Sequence, residues 1–133
     1  MTLEQARAVP TDFGGSLPEF IVFQTLVQLG FEPGLDFIFQ SSFQGGRLEK
    51  GGLIIDFLFS RPPDLAINVQ GVFFHQEQGV EVVARDKMTR AQLAGQGITL
   101  IFIDEDDILT DPERFVWEAL RYRDLSILGG IGA

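Results

Sequence analysis

Apolar residues recur along this chain with helical and strand-like spacings in turn, which predicts a mixed α/β protein. The first helical pattern begins at Ser16, which can cap a helix, and Glu19 stands at the third position of a capping box. Pro18 is tolerated in a first helical turn, and Gly30 ends the apolar face. The segment between Ser16 and Gly30 is therefore predicted to be an amphipathic helix.

Three strand-like segments follow this helix, and glycine or proline pairs separate them. They are residues 36–43, 53–59 and 65–70. Their connections are short, which favours an antiparallel meander.

A second helix is predicted from about Gly79 to Gln96, and an apolar, β-branched strand at residues 98–103 follows it. The strands before and after this helix must run parallel, because a crossover connection joins them. Asp111 can cap a last helix that has Pro112 in its first turn. The pattern predicts an α/β fold with a mixed four-stranded sheet flanked by helices, in the order α-β-β-β-α-β-α.

The chain has 133 residues, which fits one domain with a core that its 13 phenylalanines are expected to fill. Residues 1–15 are expected to form a flexible N-terminal arm, residues 16–125 the domain, and residues 126–133 a flexible tail. Neither a signal-peptide pattern nor a run of about 18 apolar residues is present, so we expect a soluble, cytoplasmic protein with no membrane contact. The absence of cysteine excludes disulfides and thiolate metal sites.

The formal net charge of −9 opposes tight non-specific binding to nucleic acid. Much of the negative charge is concentrated at residues 104–107, which we expect to form a solvated loop before the last helix. A local basic patch can still contact phosphate. The candidate residues for it are Arg47, Lys50, Arg85, Lys87 and Arg90.

One carboxylate, Asp56, lies inside an apolar strand, where an ionised group is costly unless it is paired, hydrogen-bonded or bound to a metal. Asn68 and Gln70 share one face of the next strand, so they can converge on it. The chain's single histidine, His75, follows that strand. A metal bound by these oxygens and a histidine that transfers protons would be suited to phosphodiester hydrolysis.

Several of these residues also have structural explanations. Asp56 could be a buried carboxylate that Arg85, Arg90 or backbone amides satisfy. Asp86 and Arg90 are four residues apart on the predicted helix and could pair there. The capping box alone would account for Glu19.

Phe73 and Phe74, which precede the histidine, have two explanations as well. Apolar side chains can wedge between base steps in proteins that kink DNA. Paired phenylalanines at a strand end more often fill a core. A lone histidine such as His75 is likewise often a plain loop or core residue.

The order of elements and a set of spaced residues resemble the restriction-endonuclease-like fold, the PD-(D/E)XK superfamily. Within it the chain is most similar to the very-short-patch-repair endonucleases, over roughly residues 16–117. The residues that carry the resemblance are Glu19, Asp56, Val69-Gln70-Gly71-Val72-Phe73-Phe74-His75, Arg85-Asp86, Leu93 and Gly97-Ile98-Thr99-Leu100-Ile101.

The resemblance implies a small DNA endonuclease that depends on Mg²⁺ or Mn²⁺. Asp56 would be the metal-binding carboxylate, and the main-chain carbonyl of Val69 would be a second ligand beside Asn68. Gln70 stands where the repair enzymes have a histidine, and His75 matches their other histidine. The implied site is completed by Asp86 and Glu19. The nucleic-acid contacts of such an enzyme would come from the basic residues and phenylalanines considered above, Arg47, Lys50, Arg85, Lys87, Arg90, Phe73 and Phe74.

The chain departs from this family at Asn68-Val69-Gln70, where most nucleases of the fold carry Glu-x-Lys. An amide oxygen can ligate a metal but brings no charge, and Gln70 cannot act as a base. Two functions therefore stay open. One is an endonuclease acting on DNA, including branched or mismatched DNA, and the other is a degenerate pseudonuclease that serves as a protein-binding or assembly module. A homodimer or a protein partner is compatible with either.

Overall fold

A computed structural model describes residues 9–10, 13–41, 55–71 and 79–127, without the side chains of residues 40, 41 and 79–86. The elements of this part are α1 (Leu17–Gln28), β1 (Phe37–Ser41), β2 (Ile55–Phe59), β3 (Leu65–Gln70), α2 (Gly79–Ala94), β4 (Thr99–Asp104), α3 (Glu105–Thr110) and α4 (Pro112–Leu120). The predicted α/β class is confirmed. Among the described residues, no helix combines the length and the apolar character that crossing a membrane would need.

The four strands form one mixed sheet in the order β1-β2-β3-β4. β1, β2 and β3 form an antiparallel meander, and β4 pairs in parallel with β3 after the crossover through α2. Phe59 of β2 lies opposite Phe37 on one side and Leu65 on the other, and Gln70 of β3 lies beside Asp104 of β4. The predicted meander and parallel crossover are both confirmed.

The start and end of α1 follow from its sequence. The Glu19 N–H donates to Ser16 Oγ at 3.3 Å, and the Ser16 N–H donates to Glu19 Oε1 at 2.9 Å. The predicted capping box is therefore formed. At the other end Gly30 has a φ of +95°, and the Phe31 N–H donates to the Leu26 carbonyl at 3.0 Å, which closes the helix in a Schellman turn.

Each face of the sheet carries an apolar cluster. The smaller cluster, under α2, consists of Ile55, Ala66, Leu93, Leu100 and Phe102. The larger cluster joins the sheet to α1, α3 and α4, and its buried members are Val22, Leu26, Phe37, Phe57, Phe59, Leu65, Ile67, Ile101, Ile103, Ile108, Val116, Ala119 and Leu120.

The acidic run at residues 104–107 is not the predicted solvated loop. Asp104 ends β4, and the residues after it form α3, one helix more than the predicted order. Ile108 is fully buried and anchors this helix, while the acidic side chains of its first turn complement the helix dipole. Burial, together with the nearby charges of Asp104 and Asp106, raises the pKa of the Asp107 carboxyl.

The segment after α4 runs along β4, the last strand of the sheet. The Phe102 N–H donates to Asp124 Oδ2 at 3.0 Å, and the Ile127 N–H donates to Asp104 Oδ2 at 2.9 Å. Ser126 is buried, and its N–H donates to Asp124 Oδ1 at 2.9 Å. These bonds occupy polar groups at the sheet edge, where an exposed strand would otherwise invite pairing with other chains. Of the predicted tail, residues 128–133 lie outside the described part.

An ion pair joins the end of β2 to the turn before β1. Arg61 Nε donates to Asp36 Oδ1 at 2.9 Å, and Arg61 Nη2 donates to Asp36 Oδ2 at 3.1 Å. The Glu32 N–H also donates to Asp36 Oδ2, at 2.7 Å. The bond from Arg61, followed by that from the Glu32 amide, holds the pKa of the Asp36 carboxyl below its usual range.

This lowered pKa predicts how stability depends on pH. The unfolded chain binds the proton at about pH 4, before the folded protein does, so the stabilisation is present above that pH and is lost as the pH falls further. We expect Asp36→Asn to lower Tm near neutral pH and the two Tm curves to converge in acid. Calorimetry between about pH 7 and pH 2 measures this, with Glu113→Gln on the surface of α4 as the control. A Tm difference that stays constant into acid would contradict the assignment.

Candidate functional site

Three residues of the predicted site, Asp56, Asn68 and Val69, meet where the pairing of β2 with β3 ends. The register between these strands runs from Phe59↔Leu65 to Phe57↔Ile67. One step further, the Asp56 N–H donates to Asn68 Oδ1 at 2.8 Å. The Val69 N–H donates to Asp56 Oδ2, also at 2.8 Å. Two side chains thus accept hydrogen bonds that main-chain carbonyls accept elsewhere in the sheet.

Local sequence explains why the pairing changes at this point. Short Asp and Asn side chains can bond to nearby main-chain groups and compete with a regular ladder. Ile55 and Phe57 are both fully buried, yet Ile55 belongs to the smaller apolar cluster and Phe57 to the larger one. In a regular strand Ile55 and Phe57, two residues apart, would lie on the same face of the sheet. Their membership of different clusters therefore indicates that β2 twists at Asp56.

The half-buried Asp56 carboxylate is therefore satisfied at least in part by a backbone amide, one of the structural explanations considered for it. Arg90 is engaged elsewhere: its Nη2 donates to Asp124 Oδ2 at 3.2 Å, and its guanidinium lies 4.9 Å from the centre of the Phe102 ring. These contacts tie α2 to β4 and to the segment after α4. The proposed pairing of Arg90 with Asp86 stays a prediction, since the Asp86 side chain is outside the described part.

A second polar pair stands at the end of the parallel strands. Gln70 is buried at the last position of β3, and its register partner on β4 is Asp104, which is also buried. Asp104 is not among the predicted site residues, because its place in an acidic run favours a solvated loop. The sequence could have marked Asp104 as a site residue, because it directly follows a predicted buried strand and ligands of α/β sheets bind at the carboxyl ends of strands.

The two carboxylates at this end of the sheet belong to different strands. Asp56 is on β2 and Asp104 is on β4, with β3 between them. Two strand spacings separate their main chains by about 10 Å. The part of the chain that the structure describes also contains no group of three or more His, Asp or Glu residues that could hold a metal ion.

The donor set at Asp56 consists of its carboxylate, the amide oxygen of Asn68 and the main-chain carbonyl of Val69, whose N–H bonds to Asp56. Mg²⁺ is commonly held by one or two carboxylates together with water and substrate phosphate oxygens. The residues present therefore fit a weak metal site that the phosphate of a substrate completes. They do not fit a site that holds the ion tightly by itself.

The remaining predicted residues are only partly described. Glu19 bonds to the Ser16 N–H at the start of α1. Lys87 is exposed on α2, whereas the side chains of Arg85 and Asp86 on the same helix are outside the described part. The predicted residues that lie outside the described residues altogether are Arg47, Lys50, Phe73, Phe74 and His75.

The fold and the site together define a class: an α/β protein whose polar residues gather at the carboxyl end of β3 in a mixed sheet. Comparisons of the chain with protein-family models, curated proteins and solved structures found no match. Function is therefore inferred from the chain's own residues.

Proposed function

We propose that this protein is a small metal-dependent DNA endonuclease of the restriction-endonuclease-like class, similar to the very-short-patch-repair enzymes. The observation that supports this is the direct contact of Asp56 with Asn68 and Val69, through two hydrogen bonds of 2.8 Å. These residues come from two strands, and a ligand set for one ion needs its donors this close together. The contact joins three of the residues that the resemblance assigns to the metal.

In this proposal Asp56 would hold Mg²⁺ or Mn²⁺, with the Asn68 amide and the main-chain carbonyl of Val69 as further ligands. When bound, the ion would stabilise charge on the phosphate and lower the pKa of a water molecule. The Val69 N–H orients the Asp56 carboxylate, and the Asp56 N–H orients the Asn68 amide. Both bonds hold the donors in place before substrate arrives.

Residues at the end of β3 and directly after it would handle the substrate and its protons. Gln70 would orient the attacking water, because an amide can donate and accept hydrogen bonds but cannot take up a proton. His75 would accept the proton of that water or protonate the leaving oxygen. Gly71 has no side chain and would let a phosphate approach the main chain closely.

The charge around the site has a consequence for DNA binding. Asp104, Asp106 and Asp107 lie at the carboxyl end of β4, next to the end of β3 that carries Gln70. Their negative charge repels phosphate at short range. The endonuclease would therefore need its divalent cation for binding DNA as well as for cleaving it.

A cleavage assay tests this function. Supercoiled plasmid, mismatched duplex, branched duplex and single-stranded DNA are incubated with the protein and Mn²⁺ or Mg²⁺, beside an EDTA control and the Asp56→Ala variant. The proposal expects cleavage that both EDTA and the variant remove. Identical behaviour of wild type and variant on all four substrates would refute it.

A second candidate is a pseudonuclease that keeps the fold and serves as a protein-binding or assembly module. The observation that favours it is the use of Asp56 and Asn68 oxygens as acceptors for main-chain N–H groups. In addition, Asn68 and Gln70 bring no charge where most nucleases of this fold have Glu and Lys. Such a site can persist for structural reasons after its chemistry has been lost.

Metal affinity separates the two candidates. For the endonuclease we expect a calorimetric titration with Mn²⁺ to show roughly millimolar binding alone, and at least about tenfold tighter binding with a phosphorothioate duplex, because phosphate completes the coordination. Asp56→Asn should abolish the tighter binding. Asp64→Asn, which makes the same change at an exposed carboxylate in the β2–β3 connection, at the opposite end of the sheet, is the matched control and should not. Binding that stays millimolar with DNA would favour the pseudonuclease.

A further inference from the structure

An apolar groove lies at the opposite end of the sheet from Asp56. It has a volume of about 230 Å³ and is lined by Phe31, Arg61, Pro62, Trp117, Leu120 and Arg121. Arg61 and Pro62 belong to the connection from β2 to β3, whereas Asp56 and Asn68 lie near the other ends of these strands. The groove is therefore separate from the proposed catalytic site.

Contacts within the protein hold the residues that line this groove in place before any ligand binds. The guanidinium of Arg61 lies 4.5 Å from the centre of the Phe31 ring while Asp36 holds it in a two-bond pair. The Tyr122 hydroxyl donates to the Pro63 carbonyl at 2.6 Å, which ties the end of α4 to the β2–β3 connection. A preformed surface loses less free energy to ordering when a ligand binds.

Trp117 and Arg121 provide the groove with an exposed aromatic surface and a positive charge. Trp117 is the single tryptophan of the chain, and 51% of its surface is exposed. Arg121 follows four residues later, directly after α4, and its exposed side chain makes no hydrogen bond or ion pair with any described residue. An available cation beside an exposed indole is complementary to a carboxylate next to a large apolar side chain.

We propose that this groove binds an acidic peptide segment of a partner protein, with one apolar side chain against Trp117 and a flanking carboxylate on Arg121. The volume lies below the roughly 300–1,000 Å³ of small-molecule pockets, but it suits a single anchoring side chain. A net charge of −9 repels both a polyphosphate and a second copy of the chain. A short peptide can place one carboxylate directly on Arg121, whereas the distant negative charges of the protein are screened beyond about 10 Å at 0.1 M salt.

The fluorescence of Trp117 reports directly on this binding. The probe is the acetylated and amidated peptide GDEDLFDEG, titrated into the full-length protein. We expect a saturable blue shift with a Kd on the order of 10–100 µM. Arg121→Glu should weaken binding at least about tenfold, whereas Arg114→Glu should leave it within about twofold, because it makes the same charge change on α4 outside the groove.

Four outcomes would overturn the proposal. First, the Trp117 emission could stay unchanged at millimolar peptide. Second, the neutral peptide GNQNLFNQG could bind equally well, which would show that binding does not depend on the carboxylates. A thymidine oligonucleotide could cause the same saturable shift, sensitive to Arg121→Glu, while the acidic peptide does not, which would make the groove a nucleic-acid surface. Alternatively, sedimentation could show self-association that shifts the emission without peptide, which would make a second copy the occupant.

Discussion

Asp56→Asn is expected to abolish metal-dependent DNA cleavage while leaving the fold intact. Asparagine keeps an oxygen that can accept the Val69 N–H, now 2.8 Å from Asp56 Oδ2, but it removes the negative charge. If the bound ion supplies several kcal/mol of transition-state stabilisation, its loss lowers the cleavage rate by at least about 10³-fold. Single-turnover cleavage of plasmid DNA with Mn²⁺ measures the rate, and thermal unfolding measures the fold.

Asp56→Ala separates the structural role from the chemical one. Alanine leaves the Val69 N–H without its acceptor, which should lower the free energy of unfolding by about 1–3 kcal/mol in addition to removing cleavage. Asp64→Asn serves again as the control and should change neither quantity much. Cleavage by Asp56→Asn at the wild-type rate would show that Asp56 is a structural carboxylate and not a metal ligand.

The strands could be predicted because turn-forming residues flank them at both ends. β3 occupies Leu65–Gln70, as the alternation predicts, between Pro63 and Gly71. α3 was not predictable in this way, since its acidic first turn shows no apolar period. A helix this short depends on tertiary packing, which Ile108 supplies by its burial in the larger cluster.

The contact between Asp56 and Asn68 follows from the antiparallel register of neighbouring strands, so the sequence could indicate it. The two hydrogen bonds to main-chain groups could not be predicted, because they depend on where the regular pairing stops. The partner of Arg90 could not be predicted from the sequence either. A spacing of four residues favours Asp86 as its partner, whereas the described partner is Asp124, 34 residues away in sequence.

The two proposals concern opposite ends of the sheet and can therefore be tested independently. Changes at well-separated sites with no shared partners are close to additive. Arg121→Glu should thus weaken peptide binding without altering DNA cleavage, and Asp56→Asn should do the reverse. A loss of both functions in either variant would indicate a general effect on folding instead of a local one.

The largest effect on stability is expected at Phe57, at the centre of the larger cluster. Its side chain is fully buried, and the centres of the Phe37 and Phe39 rings lie 6.1 Å and 5.1 Å from its own. Phe57→Ala should lower the free energy of unfolding by about 3–5 kcal/mol, through lost apolar burial and the cavity left behind. That is at least about a fifth of the roughly 5–15 kcal/mol that stabilises a typical domain.

Urea denaturation measures this change, and Ile38→Ala provides the matched control. Ile38 is on the neighbouring strand β1 but is 52% exposed, so its truncation should lower the free energy of unfolding by less than about 1 kcal/mol. Phe57→Leu refills most of the space and should recover part of the loss. Equal effects of Phe57→Ala and Ile38→Ala would contradict the packing of β2 between its neighbours, and with it the position of Asp56 beside Asn68.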